Sequence, residues 1–313
     1  MRVLVIGATG AIGARLVPQL VQAGHEVIGT SRSGAKAAQL RAVGAEALVA
    51  DALDPVAVRQ AFTSARPDAV IYEATAIAGV NDLKHLDRSF APTNRLRTEG
   101  VDNMLAAARD AGVGQVVAQS YASHRYARVG GPVKTEEDPL DPEPPHPESL
   151  AAMAHTDEAV TRAGGIVLRY GNFYGDPDDV SLVGAVRARR FPVVGNGRGI
   201  WSHVHLEDAA SATVLALSHD GPAVYNIVDD EPAATRVWLP ELAKIVGAPP
   251  PLHFPKFAAR ILAGEALVIF STESRGASNA KAKAELGWKL RYPSWRQGFV
   301  VTYGPPGLDK VSA

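Results

Sequence analysis

The sequence has 313 residues, 46% of them hydrophobic, which is enough for one large domain or two small ones. Its formal net charge of −1 argues against nucleic acid or an anionic membrane as a partner. Cysteine is absent, which excludes disulfides, thiolate catalysis and cysteine-ligated metals. The first strand-like run starts at Arg2 and no apolar run reaches transmembrane length, so we expect a cytoplasmic protein without a signal peptide.

Strand-like and helical segments alternate through the first half of the chain. Strands are predicted near residues 2–6, 26–30, 46–50, 68–73, 115–119 and 165–169, and amphipathic helices near 11–23, 34–43, 55–64, 94–111 and 149–163. Alternating βα units predict an α/β fold, a doubly wound parallel sheet of the Rossmann type with helices on both faces.

The second half is less regular and predicts a smaller, mostly helical lobe. Its helices are expected near residues 180–189, 207–219, 237–246, 255–269 and 279–286, with a strand near 223–228. We therefore predict a dinucleotide-binding domain, 1–170, which also receives the strand near 223–228, and an interleaved substrate-binding lobe, 171–313. Residues 138–147 are rich in proline and predict an exposed, extended loop.

Three glycines follow the first strand at three-residue intervals, Gly7, Gly10 and Gly13, and a helical pattern begins after them. This arrangement holds a dinucleotide pyrophosphate at a helix N-terminus. The first glycine permits the turn, the second lets the backbone approach the phosphates, and the third lets the helix pack closely on the strand. The predicted contacts to the cofactor in this turn are Gly7, Thr9, Gly10, Ala11, Ile12 and Gly13.

The end of the second strand indicates which nicotinamide cofactor fits. No acidic residue stands there to bind the ribose 2′-hydroxyl of NAD, whereas Arg32 offers a charged fork for the 2′-phosphate of NADP. We therefore favour NADP, with NAD as the alternative and Arg32 as an ordinary loop arginine in that case. Asp51 at the end of the third strand is positioned to bind the adenine amino group, and Asp54 before Pro55 predicts a helix cap.

Small residues follow the fourth strand, where a ribose and nicotinamide would cross the strand ends. Ala52 and Ala74 are predicted to line the cofactor site, and Glu73 is expected to face solvent or to be paired rather than to act in catalysis.

Taken together, these residues and several later segments resemble the extended short-chain dehydrogenase/reductase family, also called the NAD-dependent epimerase/dehydratase family. The later segments are the helix from Asn94 through Gly100, Leu168–Gly175, His203–Ala209, Tyr225–Val228 and Leu286–Trp288. The resemblance implies a Rossmann domain with a C-terminal substrate lobe, a nicotinamide cofactor, and Asn172 as a contact to the nicotinamide carboxamide. It also implies dimers through the helices near 94–111 and 149–163.

The sequence departs from the family pattern at the catalytic residues. Members of the family use a tyrosine and a lysine one helical turn apart, in which the lysine lowers the pKa of the phenol that moves the proton. Counting back from Glu158, the tyrosine position falls on Leu150 and the lysine position on Ala154. Neither side chain can move a proton, so the sequence resembles an atypical branch of the family.

Two neighbouring residues after the fifth strand are the remaining catalytic candidates. Ser120 is the best counterpart of the family serine, although counting back from Tyr126 places that position on Ala122. Tyr121 could supply the missing phenol, with packing beneath the cofactor as its alternative role. Tyr126 is expected to contact substrate, and His155 either acts as an acid or lies on the helix surface.

His203 and His205 alternate along a predicted strand, but no carboxylate or cysteine completes a metal-ligand set. The resemblance implies that this segment packs the substrate lobe and that an acid at Glu207–Asp208 caps the next helix. Arg189, Arg190 and Arg198 either meet an anionic substrate such as a nucleotide sugar or are solvated loop residues.

The leading hypothesis is an NADP-dependent oxidoreductase that acts on a small carbonyl or hydroxyl compound with a non-standard proton donor. An epimerase or dehydratase acting on a nucleotide sugar is a second hypothesis, although that chemistry depends most on the missing pair. A non-catalytic NADP(H) sensor or regulatory protein is the third.

Overall fold

The computed structural model describes residues 1–77, 82, 84–176 and 182–305. The first half alternates strands and helices as predicted, with bounds within a few residues of those expected. Its elements are β1 (Arg2–Ile6), α1 (Gly13–Gln22), β2 (Glu26–Ser31), α2 (Gly34–Ala42), β3 (Glu46–Val49), α3 (Pro55–Ala65), β4 (Ala69–Tyr72), α4 (Leu86–Arg95), a π-helical turn (Leu96–Gly100), α5 (Val101–Asp110) and β5 (Gln115–Tyr121). The single helix predicted near 94–111 is therefore longer and is interrupted by the π-helical turn.

The second half contains short strands and helices around two further strands of the main sheet. Its elements are β6 (Val133–Lys134), α6 (Pro147–Arg162), β7 (Ile166–Tyr170), β8 (Asn172–Tyr174), α7 (Leu182–Arg187), β9 (Val193–Val194), β10 (Ile200–Trp201), β11 (His203–His205), α8 (Leu206–Ala216), β12 (Ala223–Ile227), β13 (Ala233–Ala234), α9 (Thr235–Ile245), β14 (His253–Phe254), α10 (Lys256–Thr272), β15 (Gly276–Ala277), α11 (Ala280–Glu285) and α12 (Trp295–Tyr303). The first part of the helix predicted near 180–189 lies outside the described residues.

The main sheet has the strand order β12-β7-β5-β4-β1-β2-β3, and every neighbouring pair is parallel. This confirms the doubly wound Rossmann-type fold. The chain moves outward from β1 in one direction through β2 and β3, and in the other direction through β4 and β5. Such a reversal opens a crevice at the carboxyl ends of the central strands, which is where ligands bind in open α/β sheets.

Successive side chains of β1 belong to two different apolar cores, which explains why helices cover both faces of the sheet. Val3 and Val5 belong to the core formed with α1 and α8, whereas Leu4 and Ile6 belong to the core formed with α3, α5 and α6. Successive side chains of a strand point to opposite faces, so an unbroken apolar strand requires cover on both.

A separate apolar core holds the second lobe together, and it contains a helix that the sequence prediction missed. Trp295 and Phe299 of α12 are fully buried against Trp238 of α9. The signal was present, because Ser294 caps the helix by accepting a hydrogen bond from the Arg296 amide. The apolar residues then recur at a spacing of four, as expected for one face of a helix.

The proline-rich segment 138–147 is largely the irregular loop that was predicted, but it is only partly exposed. Asp141 and His146 within it are buried, and Pro147 already belongs to α6. The Asp141 carboxylate lies 2.9 Å from Arg128 Nε, so an ion pair draws this segment against the protein. The division of the chain at residue 170 stays a prediction.

Candidate cofactor cleft and active site

A cleft of about 550 Å³ opens at the carboxyl ends of β1, β2 and β4, in the crevice that the strand order creates. Most of the residues predicted to contact the cofactor line it. These are Gly7, Thr9, Gly10, Ala11, Ile12, Arg32, Asp51, Ala52 and Ala74.

The glycine turn between β1 and α1 requires glycine for two different reasons. Gly7 has a φ of +93°, and a Cβ on it would lie 2.6 Å from the Glu73 carbonyl carbon. Gly13 does not line the cleft, but a Cβ there would overlap the backbone of Ala8, so its role is close packing of α1. The Gly10 amide closes the turn by donating to the Gly7 carbonyl oxygen at 3.0 Å.

Two cations flank the end of β2, where a 2′-phosphate would lie. Arg32 is exposed and lines the cleft, and Lys36 of α2 lines it as well. The sequence reasoning missed Lys36, although its position in the first turn of the helix after β2 placed it near Arg32. No acidic side chain stands at this end of β2 to favour the 2′-hydroxyl of NAD instead.

Asp51 follows β3 and also lines the cleft. Its Oδ1 accepts a hydrogen bond from the Leu53 amide at 3.0 Å, which fixes the carboxylate there. Asp54 accepts bonds from the Val56 and Ala57 amides and caps α3, as predicted. The glycine turn at Gly7, the volume of the cleft and the flanking cations all fit a nicotinamide dinucleotide.

Glu73 lies in the floor of the cleft and is buried rather than facing solvent. Its Oε1 is 2.9 Å from the Tyr170 hydroxyl, so the alternative expectation, a paired Glu73, is correct. Burial raises the pKa of this carboxyl to about 8, because the charged form loses its hydration.

The structure brings together two residues that were predicted separately, Tyr121 and Asn172. The Tyr121 hydroxyl donates to Asn172 Oδ1 at 2.7 Å, and Asn172 Nδ2 donates to Ser123 Oγ at 3.1 Å. Gln119 and Tyr121 share one face of β5, and Gln119 lines the cofactor cleft, as does Phe173 next to Asn172. Tyr121 therefore stands directly beyond the inner end of the cleft.

Tyr121 is partly buried, and burial raises the pKa of its phenol to about 12. At neutral pH the phenol holds its proton, and it can release that proton only to a group that is becoming strongly basic. An alkoxide formed on a substrate carbonyl is such a group.

Ser120 points away from this pair. It is buried, and its Oγ accepts a hydrogen bond from Arg125 Nη1 at 3.1 Å. Tyr126 is also buried and donates to Asn226 Oδ1 at 2.7 Å, so it packs the interior and does not reach the cleft as a substrate contact would. Successive residues of a strand face opposite sides, which is why Tyr121 reaches the site and its neighbour Ser120 does not.

Helix α6 carries Leu150 and Ala154 at the positions where the family pattern places tyrosine and lysine. Its Asp157 instead binds two arginines, Arg125 and Arg169, and the Arg169 Nε–Asp157 Oδ2 distance is 2.9 Å. His155 lies on the outer surface of the helix, where its Nε2 is 2.8 Å from Asp102 Oδ1. The helix thus stabilises the end of β5 through Asp157. The positions predicted for tyrosine and lysine, Leu150 and Ala154, carry no group that can transfer a proton.

The histidine segment of β11 has a structural role. His205 caps α8 by accepting a hydrogen bond from the Glu207 amide, which corrects the expectation of an acidic cap. Asp208 instead accepts bonds from the Arg291 and Tyr292 amides. In the part of the chain that the structure describes, no three histidines or acids are grouped to hold a metal ion.

The three loop arginines proposed as substrate contacts, Arg189, Arg190 and Arg198, are exposed and do not line the cofactor cleft. Among the described residues, no helix combines the length and the apolar character needed to cross a bilayer.

Comparison with known proteins agrees with this geometry. Residues 3–228 match the model of the NAD dependent epimerase/dehydratase family. The chain belongs to this family. The match covers the whole main sheet, and with it the chain is an NAD(P)-dependent enzyme of the oxidoreductase and epimerase/dehydratase type.

Individual relatives cover almost the full chain. A "3-diazoavenalumate denitrifying reductase" of a Streptomyces species is 39% identical over 95% of this chain and 99% of its own. A "2-alkyl-3-oxoalkanoate reductase" of Stenotrophomonas maltophilia is 30% identical over 80% of this chain and 77% of its own. The crystal structure of the Thermus thermophilus UDP-glucose 4-epimerase with NAD is 24% identical, with a TM-score of 0.77 over 97% of this chain and 98% of that one, and supports the fold.

Proposed function

We propose that this protein is an NADPH-dependent reductase that converts the carbonyl of a small substrate to an alcohol, with Tyr121 as the proton donor. The observation that carries the proposal is the hydroxyl of Tyr121, held by Asn172 at 2.7 Å beyond the inner end of the cofactor cleft. Two relatives named as reductases support the reductive direction.

The cofactor is proposed to lie along the cleft with its pyrophosphate over the glycine turn and its adenosine ribose near Arg32 and Lys36. The two cations support NADPH over NADH because a 2′-phosphate gains charge-assisted hydrogen bonds that a hydroxyl does not. Bound NADPH supplies a hydride. Residues 1–170 would hold the cofactor and 171–313 would complete the substrate site.

In this mechanism the chain supplies one proton at one atom. As the carbonyl carbon is reduced, its oxygen becomes an alkoxide and takes the proton of Tyr121 Oη, while Asn172 holds the phenol in position. The phenolate is then reprotonated from solvent. Ser120 supports this arrangement indirectly, because its bond to Arg125 fixes the end of β5.

A second candidate substrate is an aryl diazonium, favoured by the aliphatic Leu150 and Ala154 and by the relative named as a denitrifying reductase of a diazo compound. Addition of a hydride to the terminal nitrogen of R–N₂⁺ gives R–N=NH, which loses N₂ as its hydrogen moves to carbon and forms R–H. This reaction balances without an outside proton. A site without the tyrosine and lysine pair is therefore sufficient for it.

The enzyme is further proposed to be cytoplasmic and to form a homodimer through the faces of α5 and α6. Sedimentation of the purified protein tests the oligomeric state. A monomer at micromolar concentration would contradict the dimer without affecting the proposed activity.

The test of the reaction is NADPH oxidation, followed by nicotinamide absorbance, with 3-oxo acids, aryl ketones, aryl diazonium salts and UDP-sugars. We expect oxidation with a carbonyl or diazonium substrate and a lower KM for NADPH than for NADH. Interconversion of UDP-glucose and UDP-galactose without net oxidation would instead indicate an epimerase. Tight NADPH binding with no turnover on any substrate would indicate a sensor.

The variant Tyr121→Phe distinguishes carbonyl reduction from diazonium reduction. For a carbonyl substrate we expect kcat to fall by about 100-fold or more, since a positioned acid contributes that much. For a diazonium substrate we expect no change, because no proton is taken from the enzyme. Tyr292→Phe is the matched control, because it removes the hydroxyl of a tyrosine that does not line the cofactor cleft. Unchanged carbonyl reduction in Tyr121→Phe would contradict the proton-donor role.

A further inference from the structure

Arg97 lies on the π-helical turn between α4 and α5, beside the residue that closes the cofactor cleft. Leu96 lines that cleft, and the Arg97 carbonyl accepts a hydrogen bond from Thr156 Oγ1 of α6 at 2.8 Å. Tyr72 donates to the Leu96 carbonyl at 2.8 Å, so hydrogen bonds hold the backbone carbonyls of both Leu96 and Arg97. π-helical turns are rare and occur frequently at functional sites.

The guanidinium of Arg97 is not neutralised by a neighbouring acid. Its Nε is buried and makes no hydrogen bond, and within the described residues no ion pair involves Arg97. Burial lowers the pKa of this guanidinium to about 10, so it still carries its charge at neutral pH. Arg97 as a whole is half-buried, but a buried polar atom without a hydrogen bond is costly, and such atoms are normally paired.

The carboxylate whose charge acts on Arg97 is that of Asp157, which binds two other arginines. Both Arg125 and Arg169 contact its Oδ2, and no ion pair joins it to Arg97. With Arg97, the guanidiniums therefore outnumber this carboxylate, and positive charge is in excess around it. An anion brought to Arg97 would relieve both this excess and the missing hydrogen bond.

The surroundings of Arg97 connect it to the proposed reaction centre. It is electrostatically coupled to Tyr121, whose raised phenol pKa it opposes, and to His146. The His146 ring contacts Phe270 edge-on at 5.4 Å, and the His124 ring stacks on Phe270 at 4.0 Å. His124 in turn lies 6.2 Å from the Tyr121 ring, so a row of rings extends from His146 to the phenol.

We propose that Arg97 binds a carboxylate on the substrate, while the flat apolar part of the substrate lies against the rings of His124 and Phe270. This rests on the proposed function, since it names the substrate class of the same site. An arginine suits the role because its planar fork binds both oxygens of a carboxylate.

The test measures binding and not turnover, by isothermal titration calorimetry of the NADP⁺-loaded enzyme with two matched probes. trans-Cinnamate carries the carboxylate, and trans-cinnamamide replaces it with a neutral group of similar shape. We expect the wild type to bind cinnamate about 10- to 100-fold more tightly than the amide, as for a charge-assisted hydrogen-bonded pair. Arg97→Met, which retains a long apolar side chain, should bind the two probes equally, and Arg97→Lys should keep part of the preference.

Arg198→Ala removes an exposed arginine and should leave the preference unchanged. Equal binding of both probes by the wild type, no detectable binding of cinnamate, or an undiminished preference in Arg97→Met would each overturn the proposal. An Arg97-dependent preference in an enzyme that oxidises no NADPH would leave the anion site standing and refute the reductase. Turnover of neutral substrates alone would support the reductase and refute the anion site.

Discussion

The Glu73 carboxyl and the Tyr170 hydroxyl lie 2.9 Å apart in the floor of the cofactor cleft, and the hydroxyl donates its hydrogen to Glu73 Oε1. Tyr170 also lies 2.7 Å from Thr213 Oγ1, and Thr213 donates to the Ala209 carbonyl at 2.8 Å. Each hydroxyl carries one hydrogen. Because Tyr170 donates its one hydrogen to Glu73, the hydrogen of Thr213 is shared between the Ala209 carbonyl and the Tyr170 oxygen.

Glu73→Gln should therefore remove a pH dependence of stability. The pKa of Glu73 is raised from 4.5 to about 8, so the folded protein binds a proton that the unfolded chain releases between these values. That proton stabilises the fold fully below pH 4.5, and the stabilisation is lost as pH rises to about 8. The glutamine stays neutral throughout.

The measurement is the melting temperature at pH 5 and at pH 9 for both proteins. We expect the wild type to lose at least about 2 °C more than Glu73→Gln over this interval. Glu137→Gln, at an exposed position, should behave as the wild type does. Parallel pH profiles for the wild type and Glu73→Gln would show that Glu73 is ionised in the fold.

Arg32→Ala should weaken NADPH binding and leave NADH binding unchanged, because only NADPH carries the 2′-phosphate. The loss of a charge-assisted contact predicts an increase of about 10-fold or more in the Kd for NADPH. Lys36→Ala should have a smaller effect in the same direction. Arg41→Ala, an exposed arginine later in α2, is the control, and equal losses for both cofactors would refute the assignment of the phosphate site.

Asp157→Asn should destabilise the protein strongly. It leaves the buried Arg125 and Arg169 without their shared carboxylate, and breaking a buried ion pair costs about 3–5 kcal/mol. The free energy of unfolding in urea measures the loss. Glu158→Gln changes the exposed neighbour on the same helix and should have little effect, so similar values for the two variants would contradict the bracing role.

Gly7→Ala should lower both stability and cofactor affinity. The alanine would need a φ near +93° and would bring its Cβ within 2.6 Å of the Glu73 carbonyl carbon. Backbone movement to relieve that overlap would distort the phosphate-binding turn. Gly34→Ala, where a Cβ meets nothing within 4 Å, should retain both properties, and a Gly7→Ala variant that binds NADPH normally would exclude a strict requirement for glycine.

The sequence was sufficient for the main sheet because apolar runs, glycines and helix caps are local signals. The glycine turn, the position of Arg32 at the cleft and the capping by Asp54 could be read in the same way. Lys36 and α12 had local signals that were overlooked. Arg97 had none, because an arginine in the first turn of a predicted helix looks solvated until folding places it near Tyr121. The contact between Tyr121 and Asn172 joins residues 51 positions apart and depends on the packing of two strands.

The π-helical turn Leu96–Gly100 makes the length of this helix matter as much as its composition. A π-helical turn holds about one residue more than an α-helical turn, so deleting one residue within it would leave a continuous α-helix from α4 into α5. The residues of the turn would change position around the helix axis, so Leu96 would leave the cleft although every side chain around it was retained. In this family member, a change in the number of residues in one turn is therefore a route to altered substrate preference that comparison of residue types alone would overlook.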